Sequence, residues 1–165
     1  MDKFKKILKE YLPYVVILVL VLIIKYNVVA PIRVNGRSMN NTLKDGDIMI
    51  LNIIGYKTSN LKRFDIVVVD NGKDYLIKRV IGLPGEEVEY IDNKLYINGK
   101  LVKDKYGNGN TSNFKVKVKN NSYFVLGDNR EDSLDSRYYG FFNKKKILGK
   151  TNFTVFPFNR FGNKK

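Results

Sequence analysis

The polarity of this 165-residue chain changes character once, near residue 31. Before it, a basic start, MDKFKKILKE (1–10), gives way to YLPYVVILVLVLII (11–24), a run without a single charge. Lys25 interrupts, and YNVVAPI carries the apolar character on to Ile32. A helix over 11–30 would be about 30 Å long, the thickness of a bilayer's hydrocarbon core. Lys25 then falls near its far end, where a flexible stem lets the ammonium snorkel to the interface. The run lacks the polar stripe of a surface helix packed on a core. No small-x-small site follows it, as one would in a cleaved leader. The pattern predicts one uncleaved transmembrane anchor. Lys3, Lys5, Lys6 and Lys9 predict a cytoplasmic N-terminus (1–10) and an extracytoplasmic remainder.

From residue 31 the period shortens to two. DIMILNI (47–53), FDIVVVD (64–70), DYLIKRVIG (74–82), EVEYI (87–91), KLYING (94–99), KVKVK, SYFVL and ILGKTNFTVFPF (147–158) read as strands. Asp92-Asn93 and Asn98-Gly99 read as tight hairpin turns. KYGNGNTSN (105–113) reads as an exposed, mobile loop, and GDNREDSLDSRYYG as too polar for a core. The expected fold is mainly β: an antiparallel, partly closed sheet over 31–165, tethered by the single helix at 11–30.

Composition narrows the chemistry. There is no cysteine and no histidine. Disulfides, thiolate or histidine metal sites and every Ser-His or Cys-His arrangement are thereby excluded, and neither a metal nor a cofactor is expected. A hydrolase built from this chain must use a carboxylate, a lysine or a metal-bound water as its base. The net charge of +14 favours anionic partners without choosing among them.

One strand is anomalous. In YLIKRVIGLPGE (75–86), alternation puts Leu76, Lys78 and Val80 on one face, an apolar setting for an ammonium. Burial there disfavours the charged form. A lysine of ordinary pKa is neutral only ~0.04% of the time at pH 7, whereas one near 8 is neutral about 10% of the time. That is a lysine suited to be a base. Three other stretches carry polar groups that a β domain does not need: VNGRSMNNTLKDGD (34–47), GDNREDSLDSR (127–137) and the terminal FPFNRFG.

Together these features resemble the bacterial type I signal peptidases (leader peptidases), membrane-bound serine proteases with a Ser-Lys dyad. The resemblance rests on Ser38-Met39 in RSMNNTL, KRVIGLPGE from Lys78 and GDNREDSLDSR from Gly127, in order behind an anchor. It implies Ser38 as nucleophile and Lys78 as general base, with the Ser38 backbone N–H as an oxyanion donor. It further implies that Ser133 hydrogen-bonds the Lys78 amine, that Asp135 and Arg137 hold the loop by an ion pair, and that Asp128 contributes nearby. Arg79, on the opposite face, is expected to be an ion-pair partner. Two positions depart from the family pattern: Asn41 stands where proline is common, and Gly36 where some relatives carry a hydroxyl residue.

The implied activity is removal of signal peptides from exported preproteins by a serine endopeptidase of the cell membrane, cutting after small residues of the Ala-x-Ala type. Preprotein signal peptides and membrane lipid are the implied partners, and no nucleic acid is expected. Met39 and Leu43 are candidates to touch the lipid surface. The alternatives are a self-cleaving Ser-Lys protease and an anchored basic module that binds an anionic polymer.

Overall fold

A computed structural model describes residues 2–164, apart from the side chains of 2–4, 6, 23–27, 57 and 58. The expected snorkelling of Lys25 lies outside the described residues. The apolar N-terminal run forms α1 (Asp2–Asn27), with Pro13 inside it. Its side chains from Tyr11 to Leu22 are exposed, from 41% at Leu22 to 69% at Tyr14. Among the described residues, no helix is long and apolar enough to cross a membrane. The helix also ends three residues before the expected Ala30, because Val29–Arg33 pairs as β1. β-Branched valines and Pro31 suit an edge strand better than a continued helix.

The remaining elements follow in chain order: β2 (Ile48–Asn52), α2 (Ile53–Thr58), β3 (Ile66–Asp70), β4 (Tyr75–Gly82), β5 (Glu87–Ile91) and β6 (Lys94–Ile97). Then come β7 (Lys100–Val102), β8 (Phe114–Lys117), β9 (Ser122–Leu126), α3 (Ser136–Tyr139), β10 (Phe142–Asn143), β11 (Ile147–Phe156) and β12 (Gly162–Asn163). The larger sheet runs β1-β2-β11-β3-β4-β9-β10, with β12 beside β11. A satellite sheet runs β7-β6-β5-β8. The paired strands are antiparallel, as alternation predicted. The short helix α2 had no counterpart in the sequence reading.

The larger sheet is irregular where it must curl. Register shifts interrupt β11 on both of its long edges, and another lies at Val80/Gly82 of β4. An extra residue on one strand bends it and increases its twist. The expected hairpin turns are present, with positive φ at Asp92, Asn93 and Asn98. Three apolar clusters fill the fold. Val67, Val69, Val80 and Val125 build one, and Ile81, Val88, Leu95 and Leu126 join the two sheets in a second. Val34, Met39, Leu43, Met49 and Ile66 build a third, beneath the segment that carries Ser38. Met39 (1% exposed) and Leu43 (0%) are therefore core residues, not lipid contacts. A fully buried leucine-sized side chain is worth about 1.5–3 kcal/mol, so these two anchor the turn they belong to.

Candidate active site

Ser38 stands in the turn between β1 and β2, held from below by Met39 and Leu43 and tied at both ends. The Val34 N–H donates to the Asp47 carbonyl (2.8 Å), and the Leu43 N–H to the Met39 carbonyl (2.9 Å). The buried Asp47 carboxylate accepts from the Lys44 N–H (2.9 Å) and from the Arg160 guanidinium (2.9 Å). That is the contribution of the terminal FPFNRFG: it latches the segment bearing the serine. Gly36 has φ +87°, a left-handed conformation that disfavours other residues, and its N–H donates to Asp45 Oδ1 at 2.7 Å. The departure from a hydroxyl residue at this position thus coincides with a backbone that favours glycine. Among the described residues, the Ser38 N–H has no hydrogen-bond acceptor.

Lys78 projects from the middle of β4, whose later half is buried on both faces. Its Nζ lies 2.6 Å from Ser38 Oγ, and the residue is 3% exposed. Burial draws its pKa down from 10.5 to about 8, against the pull of Asp135 and Asp128; Arg137 adds to the lowering. Leu76 and Val80, its neighbours on the same face, pack in the first apolar cluster. An ammonium would donate to the serine oxygen, whereas the neutral amine has a lone pair able to accept the serine proton.

The box from Gly127 to Arg137 lies against both residues. The Asn129 N–H donates to the Ser38 carbonyl at 3.0 Å. At Gly127 a Cβ would fall 2.5 Å from that same carbonyl oxygen and 2.2 Å from Ser133 Oγ, so only glycine lets these loop segments approach this closely. Asp135 caps α3 and accepts from the Gly127 N–H (3.0 Å) and doubly from Arg137 (2.9 and 2.8 Å). Burial would raise the Asp135 carboxyl, but Arg137 and the Gly127 N–H hold it below the usual range. Asp128 accepts from Arg79 Nε (2.7 Å), Arg79 Nη2 (2.6 Å) and the Thr42 hydroxyl (2.5 Å).

Most of the expected residues are thus brought together, with two differences. The bond expected from Ser133 to the Lys78 amine is not formed; Ser133 Oγ is buried against Gly127 and unpaired among the described residues. The box is also not too polar for a core: Asp128, Arg130, Asp135 and Ser136 are all at most 3% exposed. Asp135 pairs with Arg137 inside the box, as expected, whereas Asp128 and Arg130 are neutralised by the distant Arg79 and Asp104. Thr42 escaped notice in the sequence because a lone threonine after Asn40-Asn41 carries no signal. Arg130, with its partners Asp104 and Tyr90, was missed for the same reason: the three are scattered over three elements.

Beside the serine lies a small cavity of about 110 Å³, bounded by Val34, Met39, Leu76 and Ile77. It adjoins a groove of about 650 Å³ lined by Pro31, Ile32, Arg33, Tyr75, Leu76 and Ile77. β1 is the terminal strand of its sheet, and β4 pairs with β9 only from Arg79 onward. The groove is therefore flanked by two strand edges with free backbone groups.

Comparison with known proteins points one way. A family model described as "Signal peptidase, peptidase S26" matches residues 7–156. The chain is 39% identical to signal peptidase IB of Staphylococcus aureus (strain COL), over 95% of this chain and 93% of that one. It is likewise 39% identical to signal peptidase I of Bacillus amyloliquefaciens, over 88% of this chain and 85% of that one. The crystal structure of a signal peptidase I from Enterococcus faecalis V583 superimposes with a TM-score of 0.52 at 38% identity. That match covers 56% of this chain and 97% of the other.

Proposed function

Because the chain belongs to the signal peptidase family, peptidase S26, and is a serine endopeptidase of it, we propose that it removes signal peptides from exported preproteins. In this reading Ser38 is the nucleophile and Lys78 the general base. The observation that carries it is the 2.6 Å approach of a buried lysine amine to a serine hydroxyl. A serine is a poor nucleophile until a positioned base takes its proton, and this chain offers no histidine for the task.

The neutral Lys78 amine accepts the Ser38 proton as Oγ attacks the scissile carbonyl. The Ser38 N–H, lacking an acceptor among the described residues, donates to the oxyanion that forms. As the tetrahedral species collapses, the Lys78 ammonium returns its proton to the departing amine of the mature chain. The acyl group remains on Ser38. Water, giving a proton to the same amine as it attacks the ester, then releases the signal peptide with a free carboxyl group, and the Lys78 ammonium returns that proton to the departing Ser38 Oγ. Asp135 with Arg137, and Asp128 with Arg79, hold the surrounding backbone, and Ser133 packs on Gly127.

The substrate enters as an extended strand between the edges of β1 and β4, completing their hydrogen bonding by β-augmentation. The cavity of about 110 Å³ beside Ser38 suits a small side chain, in keeping with Ala-x-Ala sites. The exposed apolar side chains of α1 from Tyr11 to Leu22 support an anchor that begins at residue 11 and ends with the helix at Asn27, before β1. The lysines of 1–10 favour a cytoplasmic N-terminus with the sheets outside. Tethering to the bilayer that holds the substrate raises its effective concentration.

The test is incubation of the detergent-solubilised chain with a preprotein bearing an Ala-x-Ala site. Wild type cuts after that site, whereas Ser38→Ala and Lys78→Ala are folded and inactive. Cleavage by Lys78→Ala at the wild-type rate would remove the dyad.

A further inference from the structure

We propose that Asp104, in the satellite-sheet loop and outside every sequence motif of the site, is a positioning residue for the Ser38–Lys78 pair. The inference deepens the reading above and rests on it. Asp104 lies just beyond β7, and its carboxylate is shared among four donors. Oδ2 accepts from the Arg130 guanidinium and from the Tyr90 hydroxyl (2.6 Å); Oδ1 accepts from the N–H groups of Tyr106 (3.0 Å) and Gly107 (3.2 Å).

Two routes lead from this carboxylate to the site. The first runs through Arg130, which is 3% exposed and also donates to the Gly127 carbonyl (3.0 Å) and the Tyr90 hydroxyl (2.6 Å). Beside it, the Asn108 N–H donates to the Asp128 carbonyl (2.7 Å) and the Arg130 N–H to the Asn108 carbonyl (2.8 Å). The segment so clamped is the one whose Asn129 N–H holds the Ser38 carbonyl. The second route runs through Tyr106, whose ring lies 3.7 Å beneath the Arg79 guanidinium. Arg79 is the strand neighbour of Lys78. One carboxylate of the satellite sheet thus braces the nucleophile's turn and the base's strand together.

The physical necessity is charge. Arg130 is buried, and without Asp104 its guanidinium keeps, among the described residues, only neutral acceptors: the Tyr90 and Thr111 hydroxyls and the Gly127 carbonyl. A buried cation that loses its counter-charge moves toward water and takes its neighbours with it. A dyad working at 2.6 Å tolerates little such movement, since misplacement by about 1 Å can cost about 100-fold in rate.

The test compares Asp104→Ala and Asp104→Asn with Leu95→Ala, which loosens the satellite core opposite Tyr90 and Val102 but removes none of the hydrogen bonds to Asp104. All are full-length and detergent-solubilised, assayed at a temperature where each is folded. For Asp104→Ala the expected result is a kcat about 10- to 100-fold lower with KM within about twofold, and Asp104→Asn in between. Leu95→Ala, though less stable, keeps its kcat. Hydrogen exchange supplies a readout independent of cleavage. The Asn129 amide exchanges at least about tenfold faster in Asp104→Ala, while β11 amides are unchanged. Unchanged Asn129 exchange overturns the proposal, as does faster exchange with an unchanged kcat or a loss that Leu95→Ala reproduces. Should Asp104→Ala fail to fold, Asp104→Asn carries the same two readouts. A wild-type protein that cuts no preprotein counts against the proposed function, and the exchange result then still decides whether Asp104 holds the Ser38 turn.

Discussion

Lys78 and Arg79 are adjacent on one strand, both basic and both buried, at 3% and 1% exposure. Their surroundings are opposite. Arg79 is met by a carboxylate on two of its nitrogens, by the Phe64 carbonyl (2.8 Å) on the third and by an aromatic ring on its face. Lys78 is met by one hydroxyl and by aliphatic side chains. The alternation of a β-strand makes this possible, since successive side chains enter different environments within 3.4 Å of rise. The pairing on one face keeps a charge in place for structure. The refusal of pairing on the other destabilises a charge, so that the amine can lose it. Burial alone therefore does not decide what a basic residue does; the partner does.

The largest test of that contrast is to exchange the two chemistries. Lys78→Arg keeps a cation that does not release its proton in a protein. Cleavage of an Ala-x-Ala preprotein is expected to fall by at least about 10⁴-fold, as when the base of a serine protease is removed. Activity within tenfold of wild type would show that proton abstraction by residue 78 is unnecessary.

On the paired face, Asp128→Ala leaves the Arg79 guanidinium buried without a counter-charge, and should cost about 3–5 kcal/mol in denaturant unfolding. The double variant Arg79→Met/Asp128→Leu should recover most of that loss, because an apolar pair carries no desolvation cost. Equal losses from the single and double variants would mean that packing, not charge, governs this face.

Lys78→Met should do the reverse. Holding a lysine at about 8 instead of 10.5 implies a penalty of about 3 kcal/mol on its charged form. The penalty is present in full below pH 8, where folded and unfolded chains both carry the proton. It fades as pH rises from about 8 to 10.5, where only the unfolded chain keeps it. Lys78→Met is therefore expected to be inactive yet more stable at pH 7, by up to about 3 kcal/mol, with the advantage shrinking toward pH 10.5. Chemical denaturation at pH 7 and pH 10 measures both; a methionine variant less stable at neutral pH would contradict the penalty.

The smallest effect is kinetic. With Lys78 poised near 8, kcat/KM should rise about tenfold per pH unit up to that value and then level off. Arg137→Gln removes a neighbouring positive charge that helps to lower the lysine, so the midpoint should move upward. A profile flat from pH 6 to 9 would separate the rate from this amine.

Much of both sheets is legible, because in strands such as β2 and β5 only one face meets a core and alternation records it. Met49 and Leu51 on β2, or Val88 and Tyr90 on β5, are the pattern itself. The helix end is not legible locally, because Val28, Val29 and Ala30 are apolar in either state. Only pairing with Leu51 and Asn52 turned that stretch into a strand. The loop at 105–113 is exposed over most of its length, as its composition suggests, but Thr111 is buried and Asn108 bridges to Asn129. GDNREDSLDSR looks too polar for a core because charge usually means water; here the counter-charges of Asp128 and Arg130 arrive from Arg79 and Asp104, far away in sequence.

Local sequence was sufficient for the properties that need no distant partner: strand period, turn positions, the absence of any histidine base and the oddity of a lysine between Leu76 and Val80. Those follow from side-chain chemistry and backbone alternation over a few residues. Tertiary structure alone decided which buried charges are neutralised and which is left to lose its proton. That outcome depends on long-range contacts, 40 residues between Ser38 and Lys78 and 49 between Arg79 and Asp128. Electrostatic energy in a poorly solvated interior is fixed by distances of a few ångströms, and no spacing along the chain encodes them.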